Sequence, residues 1–192
     1  FFYLCPTYIG VAMFKKHILQ FAFVAPLLML LSAPVNAESL VVDLGNTVPA
    51  VDQVKEGLFP EEACEELRKN GFKCMGFKPA VRFSIPNAHF ELGSAELPAD
   101  LKKQLDVFAQ VLGNRPANTP PILVTGHADA SGNVELNQAL SAERAKAVKS
   151  YLINKGVSSS LLRIEGKGAE KLVDANNPFA PANRRVEISR LP

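Results

Sequence analysis

An acid and a base, Asp129 and Arg144, stand in the stretch TGHADASGNVELNQALSAERAKAV, residues 125–148. The pair has an ordinary reading. An Asp can cap a turn, an Arg can lie on a solvated face, and an exposed strand–helix salt bridge contributes only about 0–1 kcal/mol. It also has a chemical reading. A carboxylate facing the guanidinium and an ammonium facing the Asp would together receive a zwitterion, such as a free amino acid end. An apolar run, ILV, leads into this stretch and predicts a strand that ends in Asp129, at the carboxyl end where ligands gather in open α/β sheets. The helix that follows is predicted to be capped by Ser141, which puts Arg144 in its first turn. Arginine is poorly suited there, because the positive end of the helix dipole favours an acid by about 0.3–1 kcal/mol. A locally unfavourable residue marks a candidate site, and an anion bound there would meet both the guanidinium and the helix N-terminus.

The elements that must hold this pair follow from periodicity. AVRFSI and AHFELG alternate like strands broken at Pro86 and Asn87. After Leu97-Pro98-Ala99-Asp100, the run LKKQLDVFAQVLG places Leu101, Leu105, Phe108, Val111 and Leu112 at helical spacing, and Gly113 ends it. PPILVTGHAD reads as a strand. SAERAKAVKSYLINKG reads as a helix with Ala145, Val148 and Leu152 on its apolar face and Gly156 as its stop. LLRIEGKG and RRVEISRL supply two more strands. Strand, helix, strand, helix, strand, loop, strand is the order of a layered fold with helices packed on one sheet.

The N-terminal part differs. From Met13 the order is a basic MFKKH, an apolar ILQFAFVAPLLMLL and a small-residue SAPVNA, which is the pattern of a secretory signal peptide over residues 1–37 with Met13 as the start and cleavage before Glu38. The apolar stretch is about 15 residues and holds Gln20 and Pro26, against about 20 apolar residues for a spanning helix, though a retained membrane anchor is the alternative. Residues 38–58 read as an extended lead-in with little structure of its own. In CEELRKNGFKC, a helix over 60–69, a turn at Asn70-Gly71 and a strand from Phe72 would bring Cys64 and Cys74 together as a disulfide in an oxidising compartment; two buried thiols are the alternative. Pro60 suits the first helical position, and Glu61 and Glu62 suit the positive helix start.

Two separated motifs carry a resemblance. GHADASGNVELNQALSAERAKAVKSYL followed by NRRVE, with HFELGSAELPADLKKQLDVFAQVL upstream, resembles the OmpA-like peptidoglycan-binding domain shared by OmpA, Pal and MotB proteins. The resemblance spans about residues 79–190 and implies an α+β sandwich, a βαβαββ domain over 79–192 with helices packed on one mixed sheet, preceded by a Cys-bearing segment over 38–78. It implies that Asp129 and Arg144 grip the diaminopimelate of the cell-wall stem peptide, whose free amino acid end is the zwitterion named above. One of Arg184 and Arg185 resembles the arginine that approaches this ligand, the other facing the sheet or solvent. Asn137 and Leu140 match the family's N-x-x-L and shape the loop. Thr125 and His127 are also expected to shape the site, His127 holding a position often aromatic or His in the family and read as partly buried packing.

Composition bears on the remaining classes. Without Lys15 and Lys16 the chain's 21 basic residues become 19, matching its 19 acidic ones, so the basic footprint of a nucleic-acid binder is absent. No G-x-S-x-G, H-E-x-x-H, Gly-rich phosphate loop or Cys–His arrangement is present, and His89 with His127 makes a weak metal case, so no cofactor and no catalytic residues are expected. The expectation is a periplasmic, outer-membrane-associated protein bound to peptidoglycan, with residues 38–78 free to meet envelope proteins. The alternatives are a stator-type structural component with an uncleaved N-terminal helix and, less favoured, a cell-wall hydrolase.

Overall fold

The computed structural model describes residues 40–191 apart from 75, 77, 87–89, 91–92 and 117. The signal-peptide expectation and most of AHFELG lie outside the described residues. Among the described residues, nine α-helices and β-strands follow in order: β1 (Val41–Asp43), α1 (Val51–Leu58), α2 (Pro60–Lys69), β2 (Arg82–Pro86), α3 (Ala99–Leu112), β3 (Ile122–Gly126), α4 (Val134–Asn154), β4 (Leu162–Gly166) and β5 (Arg185–Arg190). The strands form one mixed sheet in the order β1-β2-β5-β3-β4. The last strand is inserted at the centre, antiparallel to β2 (Phe83 opposite Ile188) and to β3 (Val124 opposite Ile188). β3 and β4 run parallel, as do β1 and β2.

Alternation decides what each strand buries. Phe83, Ile85, Ile122, Val124, Leu162, Val186 and Ile188 are closed from solvent and join Leu101, Leu105, Phe108 and Leu112 of α3 and Ala145, Val148 and Leu152 of α4 in one apolar core. Phe83 meets Phe108 edge to face, with ring centroids 5.4 Å apart. Both glycines stand at their helix ends, but only Gly156 is left-handed, Gly113 keeping φ −63°. Gly156 adopts φ +96°, and the Val157 amide donates back to the Leu152 carbonyl. Gly113 follows α3 directly.

The lead-in is a correction. Residues 41–58 are not an extended segment with little structure, because β1 extends the sheet beside β2, and Val54 and Leu58 of α1 and Phe59 beyond it are fully buried in the same core. Its short apolar runs pack against the sheet and α3 rather than forming a face of their own.

α2 begins at Pro60 with Glu61 and Glu62 in its first turn, as expected, and buries none of its residues. Cys64 and Cys74 form a disulfide with Cα atoms 5.6 Å apart. No strand starts at Phe72 among the described residues. Gly71 instead takes φ +83° and the Phe72 amide donates to the Leu67 carbonyl, a helix-closing turn that by itself brings the second cysteine back. Two arginines fasten this segment to the core from outside: Arg115 pairs with Glu62 and Arg190 with Glu61, and both guanidinium carbons approach the Phe59 ring, at 3.7 and 5.8 Å from its centroid.

Candidate ligand site

The loop between β3 and α4 builds the site. β3 ends at Gly126, so Asp129 lies in the loop past the strand rather than at its last residue. His127 and Ala128 still hold the sheet, their amides donating to the Arg185 and Gly168 carbonyls at 2.9 and 2.7 Å. The chain then turns at Asp129, whose Oδ1 accepts the Ser131 amide at 2.9 Å. The Asn137 side chain closes the loop by donating to the Asp129 and Ser131 carbonyls at 3.1 and 2.7 Å.

α4 starts at Val134, seven residues before the predicted cap. Asn133 is the cap, accepting the Glu135 and Leu136 amides at 2.7 and 3.2 Å. Arg144 therefore sits nearly three turns into the helix, where the dipole of its N-terminus no longer acts. Arg144 is thus not at a helix start, and the dipole does not disfavour it there. What singles Arg144 out is burial: it is 3% exposed, near the middle of a helix, facing a cavity.

Ser141 has another task. Its hydroxyl donates to the Gln138 carbonyl and accepts the Gly168 amide, each at 2.9 Å, while the Gln138 side chain donates to the Gly166 carbonyl. These bonds draw α4 onto the ends of β3 and β4. Glycine makes the approach possible: a Cβ on Gly126 would press on the Ser141 carbonyl group, 2.9 Å from its carbon and closer to its oxygen, and one on Gly166 would stand 2.6 Å from the Ala142 nitrogen. The helix backbone is thereby fixed against the sheet close to Arg144.

The resulting cavity, about 270 Å³, is lined by Asp129, Arg144 and Arg184 among polar groups, with Phe90 and Leu140 as apolar walls and Asn137 and Ser131 at the loop. Asp129 pairs with Arg184, Nη1 to Oδ2 at 2.6 Å, and not with Arg144; the simple strand–helix salt bridge is not formed. Burial would raise the Asp129 carboxyl, but the bonds from Arg184 and the Ser131 amide outweigh it and hold the group below the ordinary carboxylate range. Arg144 donates from Nε to the Ser94 carbonyl at 3.0 Å and lies over the Phe90 ring at 4.6 Å. Among the described residues its guanidinium forms no ion pair within 4.0 Å. Burial lowers its pKa, the nearby Arg184 charge lowers it further, and Asp129 acts the other way; an arginine remains charged throughout. The three groups leave one net positive charge in a partly open cavity, an arrangement that suits an anion beside a smaller cationic point.

Arg184 and Arg185 separate cleanly. Arg184 lines the cavity, its side chain 39% exposed. Arg185 is 5% exposed and turned away, with Nε on Glu187 at 2.7 Å and Nη1 on the Lys171 carbonyl at 3.0 Å. Of the two candidates Arg185 is the one that faces the sheet, because β5 alternation puts it with Glu187, so it does not line the cavity. His127 belongs to the same group, 2% exposed with Nε2 3.4 Å from Glu187, so it is fully rather than partly buried. Burial would raise Glu187, yet His127 and Arg185 together hold it down to about 2. Thr125, opposite Glu187 in register, and His127 do not line the cavity, whereas Asn137 and Leu140 do. Sequence reasoning missed Phe90, Ser94 and Glu187. Phe90 and Ser94 reach Arg144 from 54 and 50 residues away, and no local spacing signals such a contact.

Among the described residues no group of three His, Cys, Asp or Glu side chains could hold a metal, and no helix is long and apolar enough to cross a membrane. The model of the OmpA family matches residues 89–185, half of the chain, and spans the loop, α4 and the approach to β5. The chain belongs to the OmpA family. Within it, the peptidoglycan-associated lipoprotein of Pseudomonas putida is 36% identical over 109 residues, covering 56% of this chain and 64% of that protein. Outer membrane protein A of Bordetella avium is 33% identical over 101 residues, covering 52% of this chain and 51% of that protein. The chain thus spans less than two thirds of the length of these OmpA-family relatives. The solved structure of the peptidoglycan-associated lipoprotein from Burkholderia pseudomallei is 27% identical with a TM-score of 0.49, covering 56% of this chain and 89% of that one. Asp129, Arg144 and Arg184 all fall inside the OmpA-matched segment, and Arg185 is its last residue.

Proposed function

We propose that this cavity binds the free amino acid end of diaminopimelate in the peptidoglycan stem peptide, and that the chain is a non-enzymatic tether between the cell wall and the envelope. The observation that carries the reading is a buried, charged Arg144 with no ion pair among the described residues, opening on a cavity that also presents Asp129. A carboxylate of the ligand faces Arg144, where a charge-assisted, bidentate pair is available. Its ammonium approaches Asp129, whose oxygens keep lone pairs beyond those used by Arg184 and Ser131. The volume, about 270 Å³, lies below the roughly 300–1,000 Å³ of pockets for drug-sized ligands, which favours one amino acid end over a whole disaccharide peptide. Relatives named for their association with peptidoglycan support the same class of ligand. On this reading the protein works outside the cytoplasm, at the outer membrane side of the wall, and α2 with its disulfide is available to envelope proteins.

Incubation with labelled, purified sacculi tests both halves. Protein that pellets with the sacculi while the label stays insoluble fits a binder. Solubilised label would make it a hydrolase, and protein left in the supernatant would remove wall binding altogether.

A further inference from the structure

Arg144 raises a physical question that the proposed ligand does not answer. A guanidinium that is 3% exposed, with a second arginine lining the same cavity, needs partners that hold it in one plane before any ligand arrives. A carboxylate would do this, but it would also neutralise the charge the ligand must find. Among the described residues the side chain instead has two uncharged partners, on one segment. The Ser94 carbonyl takes Nε at 3.0 Å, and the face of the Phe90 ring, itself 9% exposed and part of the cavity wall, lies 4.6 Å from the guanidinium carbon. The ring quadrupole attracts the cation without cancelling its charge, and the attraction strengthens when water is excluded. The carbonyl fixes the Nε edge, so the remaining guanidinium nitrogens are those available to a planar anion.

We infer that Phe90 is the positioning residue of this site: its ring, with the Ser94 carbonyl, holds the Arg144 guanidinium in one orientation without an opposing charge, and so sets the preference for a carboxylate-bearing ligand. This rests on the reading of the cavity as a diaminopimelate site, but its geometry can be tested without a ligand. Phe90→Leu keeps an apolar wall and removes the π face. Phe90→Tyr keeps the face.

The experiment has two arms. In the first, the Arg144 Nε–Hε signal, identified by its loss in Arg144→Lys, is followed by NMR in the unliganded protein. It should lie upfield of its position in Phe90→Leu, from the ring current of Phe90, and exchange slowly because of the Ser94 bond. Phe90→Tyr should keep the parent position. The same position in the parent and in Phe90→Leu overturns the inference whatever the protein binds. In the second arm, calorimetry compares a diaminopimelate muropeptide with its amidated counterpart. Phe90→Leu should bind the acid form about 3- to 30-fold more weakly, the range a cation–π contact supports, and bind the amidated form as the parent does. Phe90→Tyr should restore the acid form. Equal weakening for both peptides would make Phe90 a mere packing residue and overturn the inference. A parent that binds neither peptide would remove the proposed ligand, and the first arm alone would then decide the role of Phe90.

Discussion

Substituting Gly126 by alanine is a test of how the fold sets Arg144. Gly126 ends β3, which is flanked by β5 on one side and β4 on the other, so the strand has no freedom to retreat. The new Cβ would stand 2.9 Å from the Ser141 carbonyl carbon, where ordinary contact begins at 3.4 Å, so α4 must withdraw by at least the difference, 0.5 Å, and by more to clear the oxygen. Both contacted atoms are backbone and cannot rotate away. Overpacking of this kind costs about 1–3 kcal/mol, or a fall of about 2–12 °C in melting temperature at the 2–4 °C per kcal/mol typical of a domain this size. The Ser141 bond to the Gly168 amide should weaken with the withdrawal, and Arg144, one turn further along, should leave its plane over Phe90. Differential scanning calorimetry and sacculus co-sedimentation, with circular dichroism to verify folding, give the answer. Melting within 1 °C of the parent together with unchanged sedimentation would refute the argument that the close approach of helix and strand positions the arginine.

Three other outcomes follow from particular residues. Arg144→Ala should fold normally and lose about 2–5 kcal/mol of ligand binding, and Asp129→Asn should behave alike, both read by co-sedimentation beside circular dichroism. Reducing the Cys64–Cys74 bond should lower stability by about 2–3 kcal/mol in denaturant titration, chiefly through α2, which has no buried residue to hold it. Glu187 is held down to about 2 from an ordinary 4.5, so its contribution is complete above about pH 4.5 and is lost as pH falls to about 2. It is on the order of 3 kcal/mol. Urea titrations at pH 7 and pH 3 should show Glu187→Gln less stable at pH 7 and much less sensitive to acid than the parent.

The core elements were legible because each carries a local signal. Leu101, Leu105, Phe108 and Leu112 repeat at helical spacing, ILV is continuous, and Gly156 is a stop that any reading finds. The start of α4 was not, because its first two turns, VELNQAL, expose Val134 and Leu136 and lack an apolar stripe, while Ser141 stood just before a clear one. Asn133, which caps the helix, has no periodic run behind it to mark it as a start. The polar contacts of the site were hidden for a different reason. Asp129 finds Arg184 across 55 residues, and Arg144 finds Ser94 across 50, so Asp129, Arg144 and Arg184 were legible without their pairings and Ser94 was not legible at all. The choice between Arg184 and Arg185 was within reach: Val186 and Ile188 face the core, so alternation alone places Arg185 with Glu187 and leaves Arg184 before the strand. β1 and α1 escaped because three and eight residues are too short for a pattern, and only the neighbouring β2 and α3 make them stable.

The central claim is that Arg144 reads a free carboxylate. Calorimetric titration of the parent protein with three soluble muropeptides tests it most directly, at about 0.15 M salt, where exposed charges are already strongly screened. One peptide carries diaminopimelate, one carries lysine in its place, and one carries amidated diaminopimelate. A site built around a buried guanidinium rejects a ligand that leaves it unpaired, so the first should bind at least tenfold more tightly than the other two. Equal affinities for the three would contradict the account and leave Arg144 a structural arginine on the wall of a cavity with another purpose.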